Sequence, residues 1–113
     1  MPDSTYLGEL EQMILWAVLR LDGSGYGPLI LGELEERADR AVSPGALYAT
    51  LDRLEEKGML RSRLGRPEPG RGGRPKRYVE VTAEGRVALE RTRAAWRSLW
   101  DGLDAGATAP ETA

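Results

Sequence analysis

The chain has 113 residues, a length that fits one domain with a short extension. It contains no cysteine and no histidine, which excludes disulfides, thiolate nucleophiles, cysteine zinc sites and the side chain that titrates nearest neutrality. The net charge of −2 hides a segregation: residues 1–56 carry four arginines against eleven acids, residues 57–97 twelve bases against four acids, and residues 98–113 three acids.

Leu7, Leu10, Ile14, Ala17, Val18 and Leu21 recur at three and four, the stripe of an amphipathic helix, and Met13 and Trp16 widen it. Asp22-Gly23-Ser24-Gly25 reads as the turn that ends this helix. Pro28 suits the first turn of a second helix, with Leu29, Ile30 and Leu34 on its apolar side, fading between Arg37 and Arg40. Ser43-Pro44 marks the clearest helix start: serine can cap the free N–H groups, and proline fits the first helical position. Leu47, Leu51 and Leu54 form the inner stripe of this third helix, and Gly58 closes it after Lys57.

Two strands are predicted next, 60–64 and 77–81, because apolar and polar residues alternate in both. Between them, Gly65 to Lys76 is rich in glycine, proline and arginine, too long for a tight hairpin. Thr82 caps a last helix over 83–104, whose apolar surface comprises Val87, Leu89, Ala95, Trp96, Leu99, Trp100 and Leu103. Leu89, Trp96 and Leu103 are seven apart, the spacing of a coiled-coil seam. Residues 105–113 are small and polar and read as a disordered tail. Three helices, a two-stranded wing and a final helix follow the order of a winged helix-turn-helix. The expected fold class is therefore mainly α with a small two-stranded β wing.

On the third helix a turn of 100° per residue points Gly45, Ala46, Ala49, Asp52, Arg53 and Glu56 away from the leucine stripe. Small residues at Pro44, Gly45, Ala46 and Ala49 let a helix approach a groove floor closely. Thr50 and Arg53 could then reach bases or phosphates, and Ser43 with its neighbouring N–H groups could take a phosphate. An ordinary packed helix would show the same small residues. Tyr48 has two readings as well, a hydroxyl that holds a phosphate or a core ring with an exposed edge, whereas Tyr26 and Tyr78 read as packing residues.

The segment 61–77 is more telling. Arg61, Arg63, Arg66, Arg71, Arg74, Lys76 and Arg77 face Glu68 alone, and six of those seven bases are arginines. Guanidinium forks suit phosphates and groove edges, so the loop reads as a phosphate-tracking arm; the bland reading is a solvated hairpin that blunts a sheet edge. Gly72-Gly73-Arg74-Pro75-Lys76 matches part of an AT-hook, with glycine where that motif has its first arginine. Trp96 and Trp100 suggest a dimer seam or, more sharply, an aromatic pocket for a planar ligand. The glycines at 23, 25 and 27 match neither a phosphate loop nor a dinucleotide fingerprint, and the acids, including Glu33, Glu35 and Glu36, read as a solvated face.

These residues resemble the PadR family of transcriptional regulators. The resemblance runs from about Leu7 to Arg86. It is carried by Ser43-Pro44-Gly45-Ala46-Leu47-Tyr48 with Leu51, Arg53-Leu54-Glu55 and Gly58-Met59-Leu60, by Gly25-Tyr26, and by residues 77–86 with their Thr-x-x-Gly start to the last helix. Ser24 stands where many members have histidine, and the single C-terminal helix resembles the short subgroup. The resemblance implies a dimeric winged-helix DNA binder, usually a repressor, with its DNA-contacting helix at 43–57, its wing at 60–81, and its last helix forming much of the dimer. Some short members bind aromatic compounds at the dimer interface, which maps to the region of Trp96.

The expectation is a winged-helix DNA-binding domain over 1–82, a dimerisation helix over 83–104 and a tail over 105–113. The expected function is transcriptional regulation, as a homodimeric repressor on a pseudo-palindromic operator of double-stranded DNA. The DNA-binding set is Ser43, Pro44, Gly45, Ala46, Tyr48, Ala49, Thr50, Arg53, Arg66, Arg71, Arg74 and Lys76. Leu89, Trp96, Leu99, Trp100 and Leu103 form the expected dimer interface or pocket, with a planar aromatic molecule as candidate effector. No cofactor, metal or catalytic residue is expected. No apolar run suggests a membrane partner and no signal peptide is evident, so the expected location is the cytoplasm. The competing class is a winged-helix protein-interaction module without sequence-specific DNA binding.

Overall fold

A computed structural model describes residues 7–65 and 75–103. Its helices are α1 (Glu9–Leu21), α2 (Gly27–Ala38), α3 (Pro44–Glu56) and α4 (Ala83–Trp100), and its strands are β1 (Leu60–Leu64) and β2 (Arg77–Val81). The expected tail at 105–113 lies outside the described residues.

Local chemistry explains where each helix begins and ends. Glu11, in the first turn of α1, accepts the Gly8 N–H at 2.9 Å. Asp22 closes α1 in the left-handed region, and its N–H reaches the carbonyls of Val18 and Leu19. Proline occupies the first turn of both α2 and α3. The Ser43 hydroxyl accepts the Ala46 N–H at 3.1 Å, and left-handed Gly58 lets the Met59 N–H return to the Leu54 carbonyl. Thr82 caps α4 by accepting the Gly85 N–H at 3.0 Å.

The core joins Ile14, Leu15 and Val18 of α1, Ile30 and Leu34 of α2, and Leu47, Leu51 and Leu54 of α3. Met59, Leu60, Val79, Ala88 and Leu89 close it from the wing and α4. Leu15, outside the predicted stripe, is fully buried because α2, α3, β2 and α4 all pack around α1. The same packing corrects Leu89. At 1% exposure it belongs to the core of this chain and has no surface left for a partner. The last helix also stops earlier than predicted, at Trp100, where Asp101 leaves helical geometry.

The two strands run antiparallel, pairing Leu60 with Val81, Ser62 with Val79 and Leu64 with Arg77. Their base is tied to the α1–α2 turn. The Val79 N–H donates to the Gly25 carbonyl at 2.7 Å, and a Cβ on Gly25 would lie 2.7 Å from the Val79 oxygen, so only glycine allows this approach.

Candidate nucleic-acid interface

With Leu47, Leu51 and Leu54 turned inward, α3 exposes Pro44, Gly45, Ala46, Tyr48, Ala49, Asp52, Arg53 and Glu56. The first two turns of this face carry little beyond backbone and methyl groups, and Ser43 is exposed beside them. Tyr48 fits parts of both readings: its ring is 39% exposed, while its hydroxyl lies against Gly27 at the start of α2. Thr50 is different. It was expected to reach a base or a phosphate, yet it is 2% exposed, and its hydroxyl donates to the Ala46 carbonyl at 2.8 Å. Its place three residues after Leu47 and four before Leu54 puts it on the packed side of the helix.

Arg53 remains on the outer face, its side chain 54% exposed. Its Nε lies 3.5 Å from Glu11 Oε2, and its Nη2 donates to Thr50 Oγ1 at 3.4 Å. Glu11 is not the solvated acid that the sequence suggested. It is buried, and both its oxygens accept from Lys57 Nζ at 2.9 Å. Burial raises its carboxyl, but the Gly8 N–H and the charges of Lys57 and Arg53 outweigh that and hold it below the ordinary glutamate range.

A second charge network docks the wing on α3. Arg77 reaches Asp52 at 3.2 Å and Glu55 at 2.8 Å, and its Nε donates to the Ser62 hydroxyl, which in turn donates to Glu55 at 2.8 Å. The Ser62 hydrogen bond and the Arg77 charge hold Glu55 below its usual range, against the opposing effect of burial. Arg77, counted in the sequence as one more wing base, thus neutralises acids on the outer face of α3. These partners lie 22 and 25 residues away from it in the sequence, beyond any local pattern.

Lys76 sits 4.9 Å over the Tyr26 ring, which stacks on Tyr78 at 5.5 Å, while Arg63 covers the opposite end at 4.7 Å from the Tyr78 centroid. The packing role read for both tyrosines is what the structure shows. Arg66, Arg71 and Arg74 lie outside the described residues, as does most of the AT-hook-like stretch.

Between α1 and α4, Trp96 and Trp100 line an open groove of about 400 Å³ with Trp16, Gln12, Arg93 and Arg97. Trp96 Nε1 donates to Gln12 at 3.2 Å. Leu99 and Leu103 are exposed beyond it. The sequence reading had assigned Trp16 to the helix stripe and missed its place here. Among the described residues no cluster of acids could hold a metal ion, and no helix is long and apolar enough to cross a membrane.

Residues 15–91 match the profile of the transcriptional regulator PadR-like family. The chain belongs to this family. A PadR family transcription regulator from Clostridium difficile shares the fold, with a TM-score of 0.71 at 24% identity over 86% of this chain and 96% of that one. A PadR-like transcription factor from Bacteroides fragilis is 28% identical, with a TM-score of 0.67, over 84% of this chain and 86% of its own. A PadR family transcriptional regulator from Eggerthella lenta is 26% identical, with a TM-score of 0.65, over 89% and 88%. No curated protein matches this PadR-like chain in sequence. The winged-helix architecture and the regulator class inferred from the sequence therefore hold. As a PadR-like regulator the chain falls in a class of transcription factors.

Proposed function

We propose that this PadR-like chain is a homodimeric repressor that occupies a pseudo-palindromic operator. The observation that carries the reading is the exposed, small-residue start of α3, flanked by a wing whose base is fixed to the same helix. Two copies of α3 enter successive major grooves about 10 base pairs apart, one helical turn. Pro44, Gly45, Ala46 and Ala49 approach the bases, Ser43 and Tyr48 take backbone phosphate, and Arg53 contributes a fork donor. Lys76, with Arg66, Arg71 and Arg74, follows the flanking backbone or minor groove.

Residues 1–82 serve as the DNA-binding unit and 83–104 as the dimerisation segment. The exposed Trp96, Leu99, Trp100 and Leu103 supply the apolar surface for a second copy. A planar aromatic molecule in the groove between tryptophans is the effector that releases the operator, and the dimer acts in the cytoplasm.

Selection of bound sequences from a random DNA pool tests this reading. Enrichment of a two-fold-related motif is expected. No enrichment by folded, dimeric protein would overturn it in favour of a protein-interaction module. Arg74→Ala should weaken binding across all sequences and reduce the slope of log affinity against log salt by about 1; an unchanged slope removes Arg74 from the phosphate contacts.

A further inference from the structure

Among the described residues, the buried polar side chains are Glu11 and Thr50. They come from different helices, yet both reach the same exposed group. Glu11 Oε2 lies 3.5 Å from Arg53 Nε, and Thr50 Oγ1 accepts from Arg53 Nη2 at 3.4 Å. Burying a carboxylate and a hydroxyl is costly unless each is satisfied, and here each is held in place by further bonds. Glu11 accepts from the Gly8 N–H and from Lys57, while Thr50 donates to the Ala46 carbonyl. The guanidinium therefore lies within 3.5 Å of two groups that are themselves held in place by other bonds. It carries five donors in a rigid fork, more than these two contacts use, and its side chain stays half in solvent.

We infer that Glu11 and Thr50 are positioning residues that fix the Arg53 guanidinium on the outer face of α3 for reading one base position in each half-site. The inference rests on the proposed role of α3. A loose arginine can pair with any phosphate, whereas a fork held at a fixed angle favours the base edge whose acceptors match it. The clamp thus converts a sequence-blind charge into a selective donor. Glu11 also brings a negative charge close to the DNA-facing surface, so its loss has an effect on selectivity opposite to its effect on general attraction for a polyanion.

The test compares Glu11→Gln, which keeps shape and an acceptor for Gly8, with Thr50→Val, which removes only the hydroxyl. Both are measured on the selected motif and on its single-base variants. Each variant should lose roughly ten-fold in preference at one base position of the half-site, with the rest of the motif unchanged. Neither should add to the loss already caused by Arg53→Ala, since residues acting through one group are not additive. In the free protein, the Arg53 Nε–H resonance, identified by its absence in Arg53→Lys, should move in both variants.

A change that is uniform over all sequences, with no loss of preference at any one base position, or full additivity with Arg53→Ala, would overturn the inference. Thermal unfolding of each variant separates misfolding from misreading, and Thr50→Val carries the test if Glu11→Gln does not fold. A wild-type protein that selects no motif would show instead that the role of α3 itself is wrong, and the inference would fall with it.

Discussion

Burial, the Gly8 N–H and the Lys57 and Arg53 charges all act on the carboxyl of Glu11, and the net result is a value below that of an ordinary glutamate. A depressed carboxylate contributes stability that is complete above its unfolded pKa and is lost as pH falls through the folded one. Urea midpoints taken from about pH 7 down to about pH 3 should therefore decline, and decline less steeply in Glu11→Gln. Glu55, also depressed, keeps some slope in the variant. Identical pH profiles would show that Glu11 is not stabilised by its partners. Gly45 offers a different single-residue experiment. A Cβ there meets nothing within 4 Å, so Gly45→Ala should raise stability by about 0.5–1 kcal/mol through helix propensity. The same methyl stands on the face proposed to approach the groove floor, and operator affinity should fall while the melting temperature rises. Affinity that rises together with stability would place Gly45 away from DNA.

Between elements, the wing is held at its base from two sides. Arg77 locks β2 to α3 through Asp52, Glu55 and Ser62, and the Tyr26–Tyr78 stack joins β2 to the start of α2. An aromatic pair of this kind contributes roughly 0.5–1.5 kcal/mol beyond the area it buries. Tyr26→Phe retains the ring and should leave both stability and DNA binding near the wild-type level. Tyr26→Ala also removes the platform under Lys76, so it should weaken flanking contacts while preserving the preferences set by α3. Altered preference at particular operator positions, read by binding to a panel of variant sites, would mean that the stack supports α3 and not the wing. The strand spans and all three proline or hydroxyl helix starts were legible in the sequence, because they depend on neighbours within a few residues. The Arg77 network was not, because its partners come together only when the wing folds back on α3.

At the scale of the whole molecule, the end of α4 carries an uncovered apolar surface. From Arg93 to Trp100 every residue of α4 is exposed, including Trp96 and Trp100, and Leu99 and Leu103 extend that surface. A contiguous patch of this kind marks an association site. Trp96→Arg should shift sedimentation from dimer toward monomer at micromolar concentration and lower operator affinity in parallel. The helical content of the monomer should be retained, since Ala88 and Leu89 anchor α4 to the core. An unchanged sedimentation coefficient would remove α4 from the interface.

From the sequence alone came the element order, the Ser43 and Thr82 caps, the segregation of charge and the family to which the chain belongs, since these follow from residue type and short spacing. Tertiary structure decided which side each ambiguous residue faces. Leu89 and Thr50 went inward because α4 and α3 each pack one more row than a simple stripe suggests. Glu11, in an acidic half that looked like a solvated face, was drawn inside to hold Lys57 and Arg53, which lie more than 40 residues further along the chain. Such pairings are set by how the helices pack in three dimensions, and no periodicity along one helix encodes them.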